Sequence, residues 1–360
     1  MPLKNQLIQL KKWFLSKKRD LPWRQTNDPY AIWISEIMLQ QTQVSVVIPY
    51  FEKWMTAFPT VQKLASSDID TIIKIWEGLG YYSRARNLHL GAKYLVEHHN
   101  GILPDSEIEL QKIKGIGPYT LGAILSFAFH KKKAAVDGNV IRVLTRLFNL
   151  DLDVSKHKNV KQIHNLAESI LPDFEPWIIA EALIELGATV CTKKPKCKEC
   201  PLKTSCKSAL HGTQGNLPVK SLKIKTEYLF RHAFLIFAKN KLLVKRGKPG
   251  EIMSDLYEFP FLEAKSKDEL LQLNQNNLFG ISLLKTSDFE EVNHSFTRYR
   301  VSLSSSLFKA KEKPIQDYEW KSIEELDRLS FSSGHKKLFL KVKAFINIPP
   351  ENCKPKVNSL

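Results

Sequence analysis

The sequence predicts two domains: an all-α first domain followed by a smaller α+β domain. From residue 5 to about residue 186 the chain reads as successive amphipathic helices separated by short polar turns. Beyond about residue 226, short apolar runs alternate with polar residues, which is typical of half-buried strands. A length of 360 residues also favours two domains, because single hydrophobic cores stop growing at about 250–300 residues.

The chain is strongly basic, with 54 Lys and Arg residues against 37 Asp and Glu and a formal net charge of +17. Such an excess serves solubility or binds a polyanion, because basic side chains release counterions from phosphate backbones. Charge alone does not separate DNA from RNA or acidic membranes. No apolar run reaches the ~18 residues of a membrane span, and the N-terminus lacks the continuous apolar stretch of a secretory signal. We therefore expect a cytoplasmic, nucleoid-associated protein with no membrane partner.

Composition shifts set the predicted domain boundaries. The first domain is predicted to cover residues 1–212 and the second residues 226–346. Between them, residues 213–225 belong to the polar, basic stretch HGTQGNLPVKSLKIK, which is typical of an interdomain linker. Residues 347–360 contain Pro, Lys and Asn and are expected to form a frayed tail.

Local patterns predict the elements of the second domain. Two apolar runs around Lys239 and Asn240 predict a β-hairpin, and RVSLSSSLF alternates as a half-buried strand does. A capping box from Ser322 to Glu325 begins a helix at SIEELDRL, and GHKKLFLKVKAFI predicts a closing helix. This mixture of strands and helices makes the second domain α+β.

Four cysteines fall close together in the loop of residues 191–206: Cys191, Cys197, Cys200 and Cys206, spaced C-x5-C-x2-C-x5-C. Disulfides are rare in cytosolic proteins, and scattered structural thiols do not cluster in this way. The pattern therefore predicts a metal site, either tetrahedral zinc or an iron–sulfur cluster, and the spacing does not decide between them. Lysines lie between these cysteines, so a metal-bound loop would present a rigid basic surface that can bind phosphates.

A glycine-punctuated turn lies between two predicted helices in LQKIKGIGPYTLGAIL. Gly115 and Gly117 precede a helix that starts near Pro118, a residue suited to the first helical turn. The backbone N–H groups of such a turn can bind an anion. A lone G-x-G also occurs in plain helix connectors, but between two helices of a basic chain it predicts a helix-hairpin-helix motif for DNA at about residues 110–125.

Two acidic residues have unusual surroundings. Glu36 is the only charged residue between positions 31 and 51. It is either an exposed glutamate on a helix edge or a desolvated carboxyl with a raised pKa, which suits a general acid. Asp137, in AAVDGNVIRV, precedes a helix, where it is an ordinary N-cap or a carboxylate that the helix dipole keeps ionised. One protonated and one ionised acid would form a complementary catalytic pair.

Four segments together resemble one family. The run RDLPWR…DPYAIWISEIMLQQTQV, the hairpin KGIGPYTLGAI, the stretch AAVDGNVIRV and the four cysteines are similar to adenine DNA glycosylases of the MutY type. These belong to the helix-hairpin-helix superfamily that also contains endonuclease III. The resemblance is dense over about residues 5–210 and looser beyond, and it implies an all-α catalytic domain followed by a Nudix-like α+β domain.

The resemblance implies an enzyme that flips adenine out of duplex DNA and hydrolyses its glycosidic bond when the base lies opposite 8-oxoguanine or guanine. Glu36 matches the acid that protonates N7 of adenine. Asp137 matches the carboxylate that stabilises the oxocarbenium-like sugar, and Asn139 matches the residue that orients this chemistry. Tyr119 would line the site beside Asp137, and the enzyme is expected to act as a monomer.

Further positions match the family's binding residues. The adenine pocket would be lined by Arg19, Trp23, Arg24, Leu39, Val44 and Glu181. Contacts with the rest of the DNA would come from Gln40, Gln41, Gly115, Ile116, Gly117 and Thr120. Several residue types agree with these roles, because amides read base edges and an indole packs against a flipped base.

The resemblance also favours a [4Fe–4S] cluster over zinc as the cofactor of the four cysteines. The first spacer of this chain, TKKPK, has five residues where the family pattern has six. A loop can absorb that deletion, so the cluster remains the expected cofactor.

In the second domain, DLYEFP and HSFTRYRVSL resemble the 8-oxoguanine recognition domain of the family. Phe296, Thr297 and Arg298 fall where relatives carry a Phe-Ser-His loop, so Thr297 keeps the hydroxyl and Arg298 replaces a histidine. The R-E-x-x-E-E segment of a Nudix hydrolase does not follow Gly250. We therefore expect this domain to bind and not to hydrolyse a pyrophosphate.

Two alternatives stay open. An endonuclease III-like enzyme would excise oxidised pyrimidines and cleave the strand through a Schiff base. In that subfamily a lysine stands where Tyr119 stands here, so we expect a monofunctional glycosylase with little or no β-lyase activity. A non-enzymatic lesion-binding protein would use only the hairpin and the cluster, and it would not need Glu36 or Asp137.

Overall fold

The computed structural model describes residues 2–222, 225–248, 250–251, 253–272 and 280–346. Contacts divide the chain into two units. The first contains the described residues of Met1–Ser67 and Ser83–Lys223, and the second contains those of Asp68–Tyr82 and Ile224–Leu360. The first unit is helical and the second combines helices with a sheet, so the predicted fold class is confirmed.

Helices joined by short turns occupy the chain up to residue 211. In chain order they are α1 (Pro2–Lys17), α2 (Pro29–Leu39), α3 (Val44–Ala57), α4 (Val61–Ser66), α5 (Ile69–Trp76), α6 (Ser83–His99), α7 (Glu107–Lys112), α8 (Pro118–Ala123), α9 (Gly138–Phe148), α10 (His157–Ile170), α11 (Pro176–Thr189) and α12 (Lys207–His211). All of them belong to the first unit except α5, which belongs to the second.

A hydrophobic core connects α1 with α9, α10 and α11. It contains Leu10 and Phe14 of α1, Leu144 of α9, Ile163 of α10 and Leu183 of α11, all of them buried. Burying such a side chain stabilises the fold by roughly 1.5–3 kcal/mol relative to leaving it exposed. The core therefore fixes α9, and Asp137 directly precedes the first turn of that helix.

The predicted helix-hairpin-helix motif consists of α7, a tight turn and α8. Gly115 has a φ of 89°, a left-handed conformation that glycine adopts without a steric penalty. Gly117 is the N-cap of α8 and Pro118 is its first residue. After α8 the chain continues as a π-helical stretch, Ile124–Ala128. Such stretches are rare and often lie at functional sites.

The second unit contains the sheet and the remaining helices. Its strands are β1 (Glu227–Ala238), β2 (Lys241–Arg246), β3 (Tyr257–Glu258), β4 (Phe261–Ala264), β5 (Leu284–Phe296), β6 (Tyr299–Lys309) and β7 (Glu319–Ser322). Its helices, besides α5, are α13 (Lys267–Gln272), α14 (Ile323–Arg328) and α15 (Ser333–Ile346). Leu338 and Phe339 of α15 pack with Leu235 and Leu303 of the sheet in one buried cluster.

Strand β1 lies at the centre of the sheet, parallel to β6 and antiparallel to β2 and β4. The predicted hairpin is confirmed: Lys239 and Asn240 join β1 to β2 with φ values of 45° and 64°, as in a type I′ turn. The predicted half-buried strand is β6, and Ser322 and Glu325 form the capping box of α14. Local sequence patterns therefore located these elements correctly.

The grouping of residues 68–82 differs from the predicted domain boundary, which assigned them to the first domain. In the structure they group with the second unit. Lys74 Nζ donates to the carbonyl oxygen of Leu329 at 2.8 Å, and the backbone N–H of Phe331 donates to the Glu77 carboxylate at 3.0 Å. These are tertiary bonds between distant parts of the chain, so no local pattern predicts them.

Part of the predicted linker is bonded to the first unit. The backbone N–H and the hydroxyl of Ser221 donate to Asp153 at 3.2 and 2.5 Å, and the N–H of Val154 donates to the carbonyl of Val219 at 2.9 Å. The predicted tail, residues 347–360, lies outside the described residues. Among the helices that the structure describes, none has the length and apolar character to cross a membrane.

Candidate active site

A cavity of about 940 Å³ lies in the first unit. The four predicted catalytic residues line it together: Glu36, Tyr119, Asp137 and Asn139. Every predicted residue of the adenine pocket and both predicted DNA-contact glutamines also line it: Arg19, Trp23, Arg24, Leu39, Val44, Glu181, Gln40 and Gln41. The fold therefore brings residues from distant parts of the chain to one cavity.

Glu36 projects from a helix that is almost entirely buried. Asp28 caps the N-terminus of α2, and every residue from Tyr30 to Met38 is buried. The Tyr119 hydroxyl donates a hydrogen bond of 2.5 Å to the Glu36 carboxylate. Burial raises the pKa of Glu36 to about 7, because desolvation disfavours its charged form and outweighs the bond from Tyr119. The prediction of a desolvated carboxyl with a raised pKa is confirmed.

Asp137 is the N-cap of α9, as predicted. Its carboxylate accepts the backbone N–H groups of Asn139 and Val140 at 2.9 and 2.8 Å and the Asn139 side-chain amide at 2.6 Å. The sequence predicted a carboxylate that the helix terminus keeps ionised, and three N–H donors at that terminus do bond it. Burial raises the pKa of Asp137 above its ordinary value and outweighs the three hydrogen bonds, because the capped end of α9 faces the cavity and not open solvent.

Arg142 holds Asn139 in place, and sequence reasoning missed it. One turn after Asn139 on α9, its guanidinium donates to the Asn139 side-chain oxygen at 2.7 Å. It also donates to the carbonyls of Gly187 at 2.8 Å and Cys191 at 2.7 Å. Gly187 lies so close that an added Cβ would be 2.6 Å from that of Asn139. In the sequence, the one indication of this role is that Arg142 lies three residues after Asn139, a predicted site residue. That spacing alone does not show that the two side chains bond.

A network of two arginines and two glutamates forms another part of the cavity. Arg24 pairs with Glu181 at 3.3 Å and with Glu185 at 3.0 Å, and Arg19 binds Glu185 through two nitrogens at 2.7 and 2.8 Å. Glu185 is fully buried. Burial alone would raise its pKa, but the bonds from Arg19 and Arg24 lower it. Sequence analysis did not single out Glu185, which keeps both arginine side chains in place.

Thr120 has a different role from the predicted DNA contact. Its side chain is buried, and its hydroxyl accepts the Gln40 amide at 3.2 Å. Arg84, which sequence analysis also missed, donates to the carbonyls of Met38 and Gln40 at 2.9 and 2.6 Å. The end of α2 is therefore fixed from two sides, and Gln41, with a φ of 59°, follows it as an exposed side chain.

In the turn of residues 115–117, the backbone is exposed and the one large side chain is buried. Gly115 and Gly117 are exposed, whereas the Ile116 side chain is only 8% exposed. The Ile116 side chain therefore serves the core, and only the backbone of the turn is available for an anion.

The four cysteines of the predicted metal loop surround a second, smaller cavity: Cys191, Cys197, Cys200 and Cys206. None forms a disulfide. Within the described residues no three His, Cys, Asp or Glu side chains are arranged to hold a single metal ion. Four thiols around one space are the donor set of a group with four thiolate ligands, such as an iron–sulfur cluster. The Arg146 guanidinium lies 3.5 Å from the Cys191 sulfur.

The predicted recognition residues lie in the second unit, at the hairpin between β5 and β6. Phe296 is half-buried and packs against the core of that unit. Thr297 and Arg298 are exposed, and Thr297 has a φ of 44°. Arg298 pairs with Glu227 at 3.1 Å. None of the three lines the cavity of the first unit.

Comparison with protein families supports this division of the chain. Residues 34–173 match the HhH-GPD superfamily of base excision DNA repair proteins, and residues 232–341 match the NUDIX domain. The fold and site thus define a helix-hairpin-helix base excision repair protein with a second, Nudix-type domain.

Curated relatives make the assignment more specific. An adenine DNA glycosylase of Buchnera aphidicola subsp. Baizongia pistaciae is 35% identical over 91% of this chain and 93% of its own length. The adenine DNA glycosylases of Rattus norvegicus and Arabidopsis thaliana are 43% and 30% identical over 57% and 91% of this chain, and 42% and 62% of their own lengths. The chain belongs to the adenine DNA glycosylase family.

Solved structures agree on the fold of the first unit. A thermostable thymine-DNA glycosylase is 28% identical, with a TM-score of 0.54 over 58% of this chain and 97% of its own. Endonuclease III in a trapped covalent complex with DNA has a TM-score of 0.52 over 59% of this chain and 97% of its own. Its 24% identity supports the fold alone.

Proposed function

We propose that this protein is an adenine-specific DNA N-glycosylase of base excision repair, acting on duplex DNA in which adenine lies opposite 8-oxoguanine or guanine. Family membership supports the enzyme class. The observation that carries the chemistry is the hydrogen bond from the half-buried Tyr119 to the buried Glu36, in the same cavity as Asp137. Action as a monomer at the nucleoid belongs to the same proposal.

In the proposed mechanism the adenine enters the cavity after leaving the base stack. Glu36, protonated near neutral pH, transfers its proton to N7 of adenine, so the electrons of the breaking C1′–N9 bond pass to the base. The Asp137 carboxylate then stabilises the cationic sugar, directly or as a transient ester. Water adds at C1′, displacing the ester oxygen where an ester has formed, and its proton passes to the Glu36 carboxylate, which restores the acid. Asn139 and Arg142 keep the Asp137 carboxylate oriented.

Tyr119 supports a glycosylase that does not cleave the strand. A β-lyase needs an amine that forms a Schiff base, and a phenol whose hydroxyl donates to Glu36 cannot supply one. Two lysines, Lys18 and Lys193, line the cavity and carry the amine that a Schiff base requires. Borohydride trapping of a covalent enzyme–DNA adduct that is lost in Lys18→Ala or Lys193→Ala would contradict a monofunctional enzyme.

The proposed cofactor is a [4Fe–4S] cluster bound by Cys191, Cys197, Cys200 and Cys206, which would tie the loop of residues 191–206 into a rigid basic surface. Three backbone carbonyls of that loop accept bonds from α9: Arg142 donates to Cys191 at 2.7 Å, and Arg146 to Thr192 at 2.7 Å and Lys193 at 3.5 Å. Iron and sulfide analysis, with visible absorbance, tests this directly. Stoichiometric zinc without iron would contradict it.

The proposed reader of 8-oxoguanine is the β5–β6 hairpin tip, because its exposed Thr297 hydroxyl and Arg298 guanidinium can hydrogen-bond a base edge. The half-buried Phe296 packs against the core and anchors the tip.

Base excision from four duplexes, three with a target adenine and one with an oxidised pyrimidine, tests the proposed function. We expect fast release from A opposite 8-oxoguanine, slower release from A opposite G, and little release from A opposite T. A duplex with an oxidised pyrimidine opposite G tests the endonuclease III-like alternative. Release of the pyrimidine with strand cleavage, and none of adenine, would overturn the proposal. Glu36→Gln and Asp137→Asn should each strongly lower the rate of adenine release. Unchanged release in both variants would contradict the assigned chemistry, since a protein that only binds the lesion needs neither acid.

A further inference from the structure

The cavity extends well beyond the Glu36–Tyr119 pair. Tyr119 and His130 both line it, and one helical wall of α8 and the π-helical stretch runs between them. From Tyr119 to Ala128 this wall advances on the order of 13 Å. A second wall lies beside the first. Glu36 accepts the Tyr119 hydroxyl, the Gln40 amide donates to Thr120, and Ile32, one turn before Glu36 on α2, also lines the cavity.

Exposed side chains lie at both ends of these walls. At the end near the hairpin, Gln41 and Gln43 line the cavity and are exposed. Leu15, which is 51% exposed, and the exposed Lys18 and His130 also line the cavity. Lys11, one turn before Leu15 on α1, pairs with Glu175, the N-cap of α11, and His130 stacks on Trp177 in the first turn of that helix. Glu36, between them on α2, is only 6% exposed. Exposed lining residues therefore border the cavity on both sides of the buried Glu36.

The His130 end has an unusual construction. The His130 ring stacks on Trp177 with centroids 4.1 Å apart and planes 21° from parallel. His130 has a φ of 54°, and Glu175, the N-cap of the helix that carries Trp177, has a φ of 52°. Left-handed non-glycine residues cost on the order of 1–3 kcal/mol each and cluster at functional sites. A flat aromatic surface held at this end is suited to a planar base.

The cavity is also large. Its volume of about 940 Å³ lies near the upper end of the roughly 300–1,000 Å³ range of small-molecule pockets. Polar groups continue beyond the Glu36 site, because Arg24, Glu181 and Lys18 line the cavity and Arg24 pairs with Glu181 at 3.3 Å. Burial raises the pKa of Glu181, and the positive charges of Arg24 and Lys18 oppose that rise. Donors and acceptors are thus available along the wall for the ring nitrogens and amino group of adenine.

We infer that the cavity is open at two ends, and that free adenine leaves through the exit mouth formed by Leu15, Lys18, His130 and Trp177 while DNA still covers the other end. This inference rests on the proposed function and adds a route for the product. A bound duplex would close the end at Gln40–Val44, so a base released behind it needs a second opening. The enzyme could then release the base without first releasing its DNA.

The test uses the full-length enzyme saturated with duplex DNA that carries an abasic site opposite 8-oxoguanine. Association of free adenine with this complex is followed by stopped-flow quenching of tryptophan fluorescence, because Trp23 and Trp177 line the cavity. We expect adenine to associate with the DNA-bound wild type. Leu15→Trp, which fills the exit mouth, should slow association about tenfold, an increase of ~1.4 kcal/mol in the barrier.

Leu90→Trp is the matched control, since Leu90 is also 51% exposed on a helix but does not line the cavity. It should associate with adenine at the wild-type rate. Two results would contradict the proposed exit mouth. One is that adenine does not associate with the DNA-bound wild type, and the other is that it associates with Leu15→Trp and Leu90→Trp at equal rates. Single-turnover excision by the wild type is measured on the same preparation. Absent excision would count against the proposed function, whereas normal excision with a failed association test counts against the exit mouth alone.

Discussion

The cavity of the first unit and the β5–β6 hairpin tip of the second unit hold their polar groups in opposite ways. In the cavity, Glu36 is buried and accepts the Tyr119 hydroxyl, and Asp137 accepts three N–H groups. At the tip, Thr297 and Arg298 are exposed, and Arg298 pairs with Glu227.

The contrast between buried and exposed polar groups determines which chemistry each region can support. A low-dielectric site shifts pKa values and can move protons, whereas a solvated tip offers hydrogen bonds that compete with water. We therefore expect large effects on bond breaking from the cavity and small, base-specific effects from the tip.

Glu36→Gln should have the largest effect. Removing the proton donor should lower the single-turnover excision rate by about 10²–10⁴-fold, the range for general acids. Glu52→Gln on the exposed face of α3 is the matched control and should excise at the wild-type rate. If the excision rate of Glu36→Gln is within a few-fold of the wild-type rate, Glu36 is not the proton donor.

The pH profile of excision should report the same group. Because the pKa of Glu36 is about 7, kcat/KM should fall about tenfold per pH unit above that value, as the acid loses its proton. Measurement of kcat/KM from pH 6 to 9 checks this. A profile that stays flat to pH 9 would contradict Glu36 as the acid.

Stability should change with pH in a related way. The folded-state pKa lies above the ordinary value of 4.5, so the folded protein keeps this proton while the unfolded chain loses it between pH 4.5 and 7. Stability is therefore lost as pH rises through that window, and Glu36→Gln should avoid the loss. We expect Glu36→Gln to melt above the wild type at pH 8 but not at pH 4. An equal difference at both pH values would contradict the buried, protonated carboxyl.

Arg142→Lys should have an intermediate effect. Lysine keeps the charge but cannot donate together to Asn139, Gly187 and Cys191. Losing a charge-assisted hydrogen bond of about 1.5–3 kcal/mol should slow excision about 10- to 100-fold and leave the Kd for duplex DNA nearly unchanged. Arg300→Lys, on an exposed strand residue, is the control. A change in Kd without a change in the excision rate would refute the positioning role.

Arg298→Ala should have the smallest effect, and only with one opposing base. Loss of an exposed hydrogen bond of about 1 kcal/mol predicts an approximately fivefold lower kcat/KM for A opposite 8-oxoguanine. Excision opposite G should not change. Arg328→Ala, another exposed arginine of the second unit, should leave both substrates unaffected. Equal losses on the two substrates would indicate general DNA binding.

Much of the fold followed from local patterns. Asp137 before an apolar stripe predicted the cap of α9, and Lys239–Asn240 predicted the β1–β2 turn, because caps and tight turns depend on a few neighbouring residues. The grouping of residues 68–82 with the second unit could not be predicted from local patterns. Lys74 and Glu77 bond to residues more than 250 positions away in the sequence.

The candidate site divides in the same way. By itself, the sequence determined the two fold classes, the hairpin, the cysteine loop and the two candidate acids, because periodicity, spacing and unusual composition are local properties. Only the tertiary structure decided that Tyr119 donates to Glu36, that Thr120 is buried and that Arg142 holds Asn139. It also decided that burial outweighs the helix terminus at Asp137, because desolvation depends on every element packed around a group and not on its sequence neighbours.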